Sequence, residues 1–217
     1  MDLVDALRTT GSARDFADQP VDDDVVGAIL DDARFAPSGG NRQPWRVAVV
    51  KDLAIRRNLA DLMTTVWHEY LGESAADTSR APFAFGRSTG APPVVEPNPL
   101  LDDIEHVPVV LAVAANLDKI ALMDANGSRP PLTSGASIYP FCWSILLAAR
   151  ARGLGGVMTT FLSRAEAAAA PALGLPQDHA LAATIFLGYP VRVHTKLSRG
   201  DVGGFATIDR FDGIPLS

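Results

Sequence analysis

One cysteine, Cys142, stands in a chain of 217 residues, so neither an internal disulfide framework nor a cysteine-built zinc site is available to it. A lone thiol fits a reducing compartment, and a cytoplasmic location is the expectation. No window holds the roughly 18 uninterrupted apolar residues of a membrane-spanning helix. The opening MDLVDALRTT lacks a basic start followed by an apolar run, so no signal peptide is expected. Positive charge is in deficit. Lys and Arg number 19 against 25 Asp and Glu, giving a net charge of −6 and a pI near 5.1. That argues against nucleic-acid binding through a broad basic face, while leaving room for a few arginines around one small anion. Glycine and proline, at 18 and 16 residues, fall short of the roughly 25–30% that marks low complexity.

Familiar catalytic signatures are missing as well. Gly153-x-Gly155 starts a dinucleotide fingerprint, but the third position is Met158, and the segment follows a helix where a strand is required. Gly135-Ala136-Ser137 starts a nucleophile elbow, but Tyr139 stands where glycine is needed. His68-Glu69 starts a zincin motif that Gly72 breaks. His68, His106, His179 and His194 show no ligand spacing, so no metal is expected.

What is present reads as one mixed α and β domain over 1–217, with apolar residues at 47%. Apolar spacing predicts helices at 2–8, at about 22–36 and at about 52–70, and a short one at about 163–170. A long helix, apolar on most faces, is predicted at about 134–152, with Pro140 in its early part and Gly153-Leu154-Gly155-Gly156 stopping it. Strands are predicted at 46–50, 107–115 and about 181–187. Residues 72–106 carry Pro82, Pro92, Pro93, Pro97 and Pro99 without a sustained period and read as a long lid or substrate segment, with Phe83 and Phe85 packing on something. Residues 190–217 read as a polar extension anchored by Phe205 and Phe211, and Trp45, Phe141 and Trp143 read as core.

Three polar or glycine-rich segments are left over. They are Ser12-Ala13-Arg14-Asp15-Phe16, Ala36-Pro37-Ser38-Gly39-Gly40-Asn41-Arg42-Gln43-Pro44-Trp45, and Gly153-Leu154-Gly155-Gly156-Val157-Met158-Thr159-Thr160. Each alone is an ordinary turn, helix stop or helix cap. In this order, with Gly188-Tyr189-Pro190 and Arg199, they resemble the FMN-dependent nitroreductase family from about residue 3 to 211.

The resemblance implies an α+β fold, a central mostly antiparallel sheet flanked by helices, in an intertwined homodimer with FMN at the subunit interface. It implies that Arg14 and Arg199 meet the phosphate, which suits a guanidinium's paired charge-assisted hydrogen bonds, with Ser12 adding a donor and Lys196 nearby. Pro37, Ser38, Gly39 and Asn41 match a loop that reaches the partner's site, with Gly39 and Gly40 allowing close backbone approach and Gln43 bracing the loop. Met158, Thr159 and Thr160 match the stretch lining one flavin face, with backbone near N5. Thr10 and Gly11 depart from the family, which usually places basic residues there, and Arg8 lies two residues earlier. The implied activity is oxidoreduction. NADPH or NADH would deliver hydride to flavin N5, and a nitroaromatic, quinone or similar flat acceptor would take it, with no side chain needed as nucleophile or base. A flavin-binding or storage protein of the same fold with little reductase activity is the alternative.

Overall fold

The computed structural model describes residues 1–76, 90–128 and 130–216. Its centre is β2 (Val109–Asn116), flanked by β1 (Trp45–Val49) and β4 (His179–Gly188), with β3 (Gly155–Thr159) beyond β4. The order β1-β2-β4-β3 is antiparallel at every step. The expected α+β class with an antiparallel sheet is what the chain forms.

Side chains of a strand alternate between faces, and β2 is apolar on both. Val109, Leu111, Val113 and Ala115 enter one buried cluster, while Val110, Ala112 and Ala114 enter the other. The first cluster is closed by α2 (Asp23–Ala33) and α5 (Tyr139–Ala151), through Val26, Ile29, Phe141 and Ile145. The second is closed by α3 (Leu53–Ala76), the short α4 (Pro99–Asp102) and α6 (Phe161–Arg164), and α7 (Glu166–Leu173), through Leu59, Met63, Leu100, Leu162 and Ala169. The result is helix, sheet, helix. α1 (Leu3–Thr9) lies outside these layers, with Asp2 accepting the Val4 N–H at 2.7 Å as its cap.

Several boundaries differ from the sequence expectation. The helix expected at 134–152 begins at Tyr139, because Pro140 occupies a first-turn position and Thr133–Gly135 forms a separate 3-10 turn. α3 continues through Gly72 to Ala76, so the expected loop 72–106 is helical at its start. A Cβ on Gly72 would lie 2.2 Å from the Pro92 carbonyl oxygen, so this glycine lets the 90–98 stretch pack on the helix. Later in the same region come α4 and a 3-10 turn at Ile104–His106. Pro82, Phe83 and Phe85 lie outside the described residues. The short helix expected at 163–170 is two, α6 and α7, meeting at Ala165. β3 has no counterpart in the sequence expectation, since a five-residue strand with two glycines carries little strand propensity. Phe205 and Phe211 do not anchor the extension on this protomer, being 76% and 107% exposed, and Trp143 is a surface residue at 37%. Trp45 and Phe141 do pack, stacked at 4.7 Å with planes 1° apart.

Candidate functional site

The segment 12–17 is stitched into the sheet edge. Ser12 pairs in parallel with Gly156, the Ala13 N–H donates to the Gly156 carbonyl at 2.9 Å, and the Ala17 N–H donates to the Tyr189 carbonyl at 2.8 Å. Ala13 therefore turns inward, while Ser12 and Arg14 on either side are exposed. The glycines opposite make this approach possible. A Cβ on Gly155 would stand 2.8 Å from the Ala13 Cβ, and one on Gly188 would stand 2.9 Å from the Phe16 ring. Gly153 acts differently. At φ +82° it closes α5, with the Leu154 N–H donating to the Ala149 carbonyl at 3.0 Å.

Arg14 overlooks a cavity of about 560 Å³ whose floor is Val157, Met158, Thr159 and Thr160. Trp67 and Tyr70 of α3 and Phe161 of α6 wall it, their ring centroids 5.9 to 6.0 Å apart. Among the described residues no side chain pairs with the Arg14 guanidinium. The far wall is the 97–101 stretch. The Trp67 ring N–H donates to the Glu96 carbonyl at 3.2 Å and the Val94 N–H donates to the His68 carbonyl at 3.0 Å, which hold that stretch against α3. Sequence reasoning missed the aromatic wall. The available signal was Trp67 and Tyr70 three apart on one helix face.

A more open cavity of about 840 Å³ continues from Arg14 and Asn98 past Asp15, Asp18, Asp103 and His106. A hydrogen bond to Asp103 at 2.5 Å raises the pKa of His106, its charge adding to the effect.

Pro37, Ser38, Gly39, Asn41 and Gln43 line neither cavity. They form a separate exposed loop, in which the Gly39 N–H donates to Ser137 Oγ at 3.0 Å and the Gln43 N–H donates to Ser38 Oγ at 3.0 Å. The Gln43 side chain also donates to Asn41 Oδ1 at 3.0 Å, within the loop. Gly40, Asn41 and Gln43 all have positive φ (60°, 52° and 47°), a cluster of left-handed residues of the kind kept at ligand-contacting loops. Lys196 and Arg199 line a third cavity with Arg8, apart from Arg14. The structure thus brings Arg14, Met158, Thr159 and Thr160 together with Ser12 beside them, and sets Lys196 and Arg199 apart from that group.

These elements can hold a planar aromatic ring against the end of β3, with a cation at its edge. The model of the Nitroreductase family matches residues 7–189. The 5,6-dimethylbenzimidazole synthase of Rhodospirillum rubrum is 29% identical over 194 residues, 89% of this chain and 84% of that protein. The NADH dehydrogenase of Thermus thermophilus is 30% identical, covering 88% of this chain and 87% of its own. Among solved structures, iodotyrosine deiodinase bound to FMN and 3-iodo-L-tyrosine superposes with a TM-score of 0.63 at 22% identity, covering 97% of this chain and all of that one (100%). No described helix is long and apolar enough to cross a membrane.

Proposed function

We propose that this chain, which belongs to the nitroreductase family, is an FMN-dependent oxidoreductase that takes hydride from NADPH or NADH and passes it to a flat aromatic acceptor. The observation that carries the reading is Arg14. Among the described residues it has no counter-ion, and it stands over a cavity floored by the end of β3 and walled by three aromatic rings. A flavin fits this donor set: a flat apolar body needs stacking surfaces, and a ring edge that gains negative charge on reduction needs a fixed cation. When bound, FMN supplies the hydride-accepting N5 centre.

The chain's own residues do the rest. Met158, Thr159 and Thr160 would give the ring a floor and offer it main-chain donors. Arg14, beside that floor, serves the ring edge, and Lys196 and Arg199 are left to the phosphate. Trp67, Tyr70 and Phe161 exclude water and present stacking surface to donor or acceptor. The 37–43 loop, which lines neither cavity beside Arg14 on its own chain, serves the partner's site in a homodimer with two interface sites. Ser38, Gly39 and Asn41 offer its polar contacts, Pro37 opens it and Gln43 braces it. The storage alternative leans on Phe83 and Phe85, outside the described residues, and no observation favours it.

The test is the visible spectrum of freshly purified protein, before and after anaerobic NADPH or NADH. An oxidised-flavin spectrum that bleaches is the expected result. Protein that stays colourless after incubation with FMN and desalting refutes the reading, and a flavin that neither nucleotide bleaches turns it to storage. Arg14→Ala should weaken FMN retention.

A further inference from the structure

Two adjacent residues of α3 hold the 90–98 stretch at three points. The Trp67 ring N–H donates to the Glu96 carbonyl at 3.2 Å, the His68 Nε2–H donates to the same oxygen at 3.1 Å, and the His68 carbonyl accepts the Val94 N–H at 3.0 Å. About one turn further along the helix, Gly72 provides the seat. A Cβ there would lie 2.2 Å from the Pro92 carbonyl oxygen and 3.2 Å from the Pro93 Cα, so any side chain at position 72 lifts the stretch off α3.

The Trp67 indole is fixed by its ring neighbours as well. It stacks on Tyr70 at 5.9 Å with planes 15° apart and meets Phe161 at 6.0 Å. The Phe161 N–H donates to Thr159 Oγ1 at 3.3 Å, which joins that ring to the floor of the cavity. The aromatic wall and the 97–101 wall therefore belong to one hydrogen-bonded unit. Turning the indole away breaks its hydrogen bond and both ring contacts, so Trp67 sets the width of the cavity and does not adapt to what enters.

We propose that Trp67, pinned by the 90–98 stretch, is the specificity-determining residue of the acceptor site, and that it selects acceptors of a single aromatic ring over those with two or more fused rings. The inference rests on the flavin reading above. The cavity, about 560 Å³, sits in the lower half of the roughly 300–1,000 Å³ typical of small-molecule sites, and a three-ring flavin has to share it. What is left beside a fixed indole suits one further ring. The larger cavity that continues from Arg14 offers no outlet, since Asp15, Asp18, Asp103 and His106 line it and a second apolar ring gains nothing there.

The FMN-loaded full chain is assayed at steady state, with NADPH or NADH as donor and nitrobenzene or 1-nitronaphthalene as acceptor, for wild type, Trp67→Ala, Trp67→Phe and Gly72→Ala. In wild type the KM for 1-nitronaphthalene should exceed that for nitrobenzene about 10-fold. Trp67→Ala should remove most of that difference by lowering the KM of the two-ring acceptor. Trp67→Phe keeps a ring and loses the N–H, and Gly72→Ala keeps the indole and displaces its anchor, so each should narrow the difference in part. Hydrogen exchange of the Trp67 indole proton, followed by NMR, should be slow in wild type and faster in Gly72→Ala. Equal KM values in wild type overturn the proposal, as does a KM ratio that Trp67→Ala leaves unchanged. An indole proton that exchanges freely in wild type overturns the anchoring, and Trp67→Phe tests that anchoring should Gly72→Ala fail to fold. A wild type that reduces neither acceptor with either nucleotide refutes the oxidoreductase reading instead, and calorimetric titration with the two nitroaromatics then probes the wall alone. Tighter binding of nitrobenzene that Trp67→Ala evens out keeps the proposal, and equal binding overturns it.

Discussion

Gly156 and Leu187 face each other across the β3–β4 ladder so closely that a Cβ on Gly156 would lie 2.5 Å from a Leu187 methyl. The Phe186 carbonyl oxygen would also be at 2.5 Å, and backbone cannot rotate away. Gly156→Ala should therefore cost about 1–3 kcal/mol of stability in urea unfolding. Gly27→Ala is the contrasting control. It lies inside α2 with nothing within 4 Å of the added methyl, and should stabilise by about 0.5–1 kcal/mol.

Arg56 is buried at 7% exposure and spends its guanidinium on main-chain carbonyls: Val50 at 2.8 Å, Val107 at 2.7 Å and Glu105 at 3.3 Å. Burial lowers its pKa, yet the carbonyls hold the charge where the chain enters β2. Arg56→Met should cost about 3 kcal/mol, because it leaves buried acceptors unpaired. Flavin affinity should not move, since Arg56 lines none of the cavities around Arg14 or Arg8.

Restoring a basic residue at position 11 should fail. Gly11→Arg drives a side chain into His194 and Leu197 and should lower the melting temperature by about 2–4 °C for each kcal/mol of overpacking. Adding His194→Ala should recover most of that loss, which a differential scanning measurement of the three proteins reads directly.

Burial pushes the Cys142 thiol up to about 12. The native protein should therefore resist a thiol reagent at pH 8 and react only on unfolding. The unfolded chain gives up the thiol proton from about pH 9 upward, while the folded chain keeps it, so this group takes stability away as the pH rises past 9.

His106 gains its stabilising effect at the other end of the pH range. Its hydrogen bond to Asp103 raises its pKa, so the effect is fully present below the ordinary value of 6.5 and is lost as the pH rises through the raised one. His106→Gln should match wild type at pH 9 and melt slightly earlier at pH 5.5.

How far the sequence is legible depends on where the information lies. β2 declares itself because both of its faces are apolar, and α2 because its apolar stripe recurs with helical spacing and its first turn is acidic. The Ser12–Phe16 and 37–43 segments stand out because local chemistry accounts poorly for them; the fold pairs the first with the sheet edge at Gly156 and Pro190 and leaves the second as a largely exposed loop. β3 stays hidden because its glycines answer to neighbours distant in sequence, Ala13 and Leu187 among them. The separation of Arg14 from Arg199 is equally out of reach, since it depends on the course of the tail past Gly11. The aromatic wall needs α3 and α6 to meet, and no local pattern encodes that meeting.

The strand order also governs how the molecule comes to exist. The central ladder joins residue 113 to residue 183, so it cannot zip until most of the chain has left the ribosome. Until then β2 waits without its β4 partner, an eight-residue apolar segment with an open edge. Nascent chains stalled before residue 179 should thus be far more prone to self-association than the finished protein. The strand that makes the core secure once folded is the chain's main hazard during synthesis.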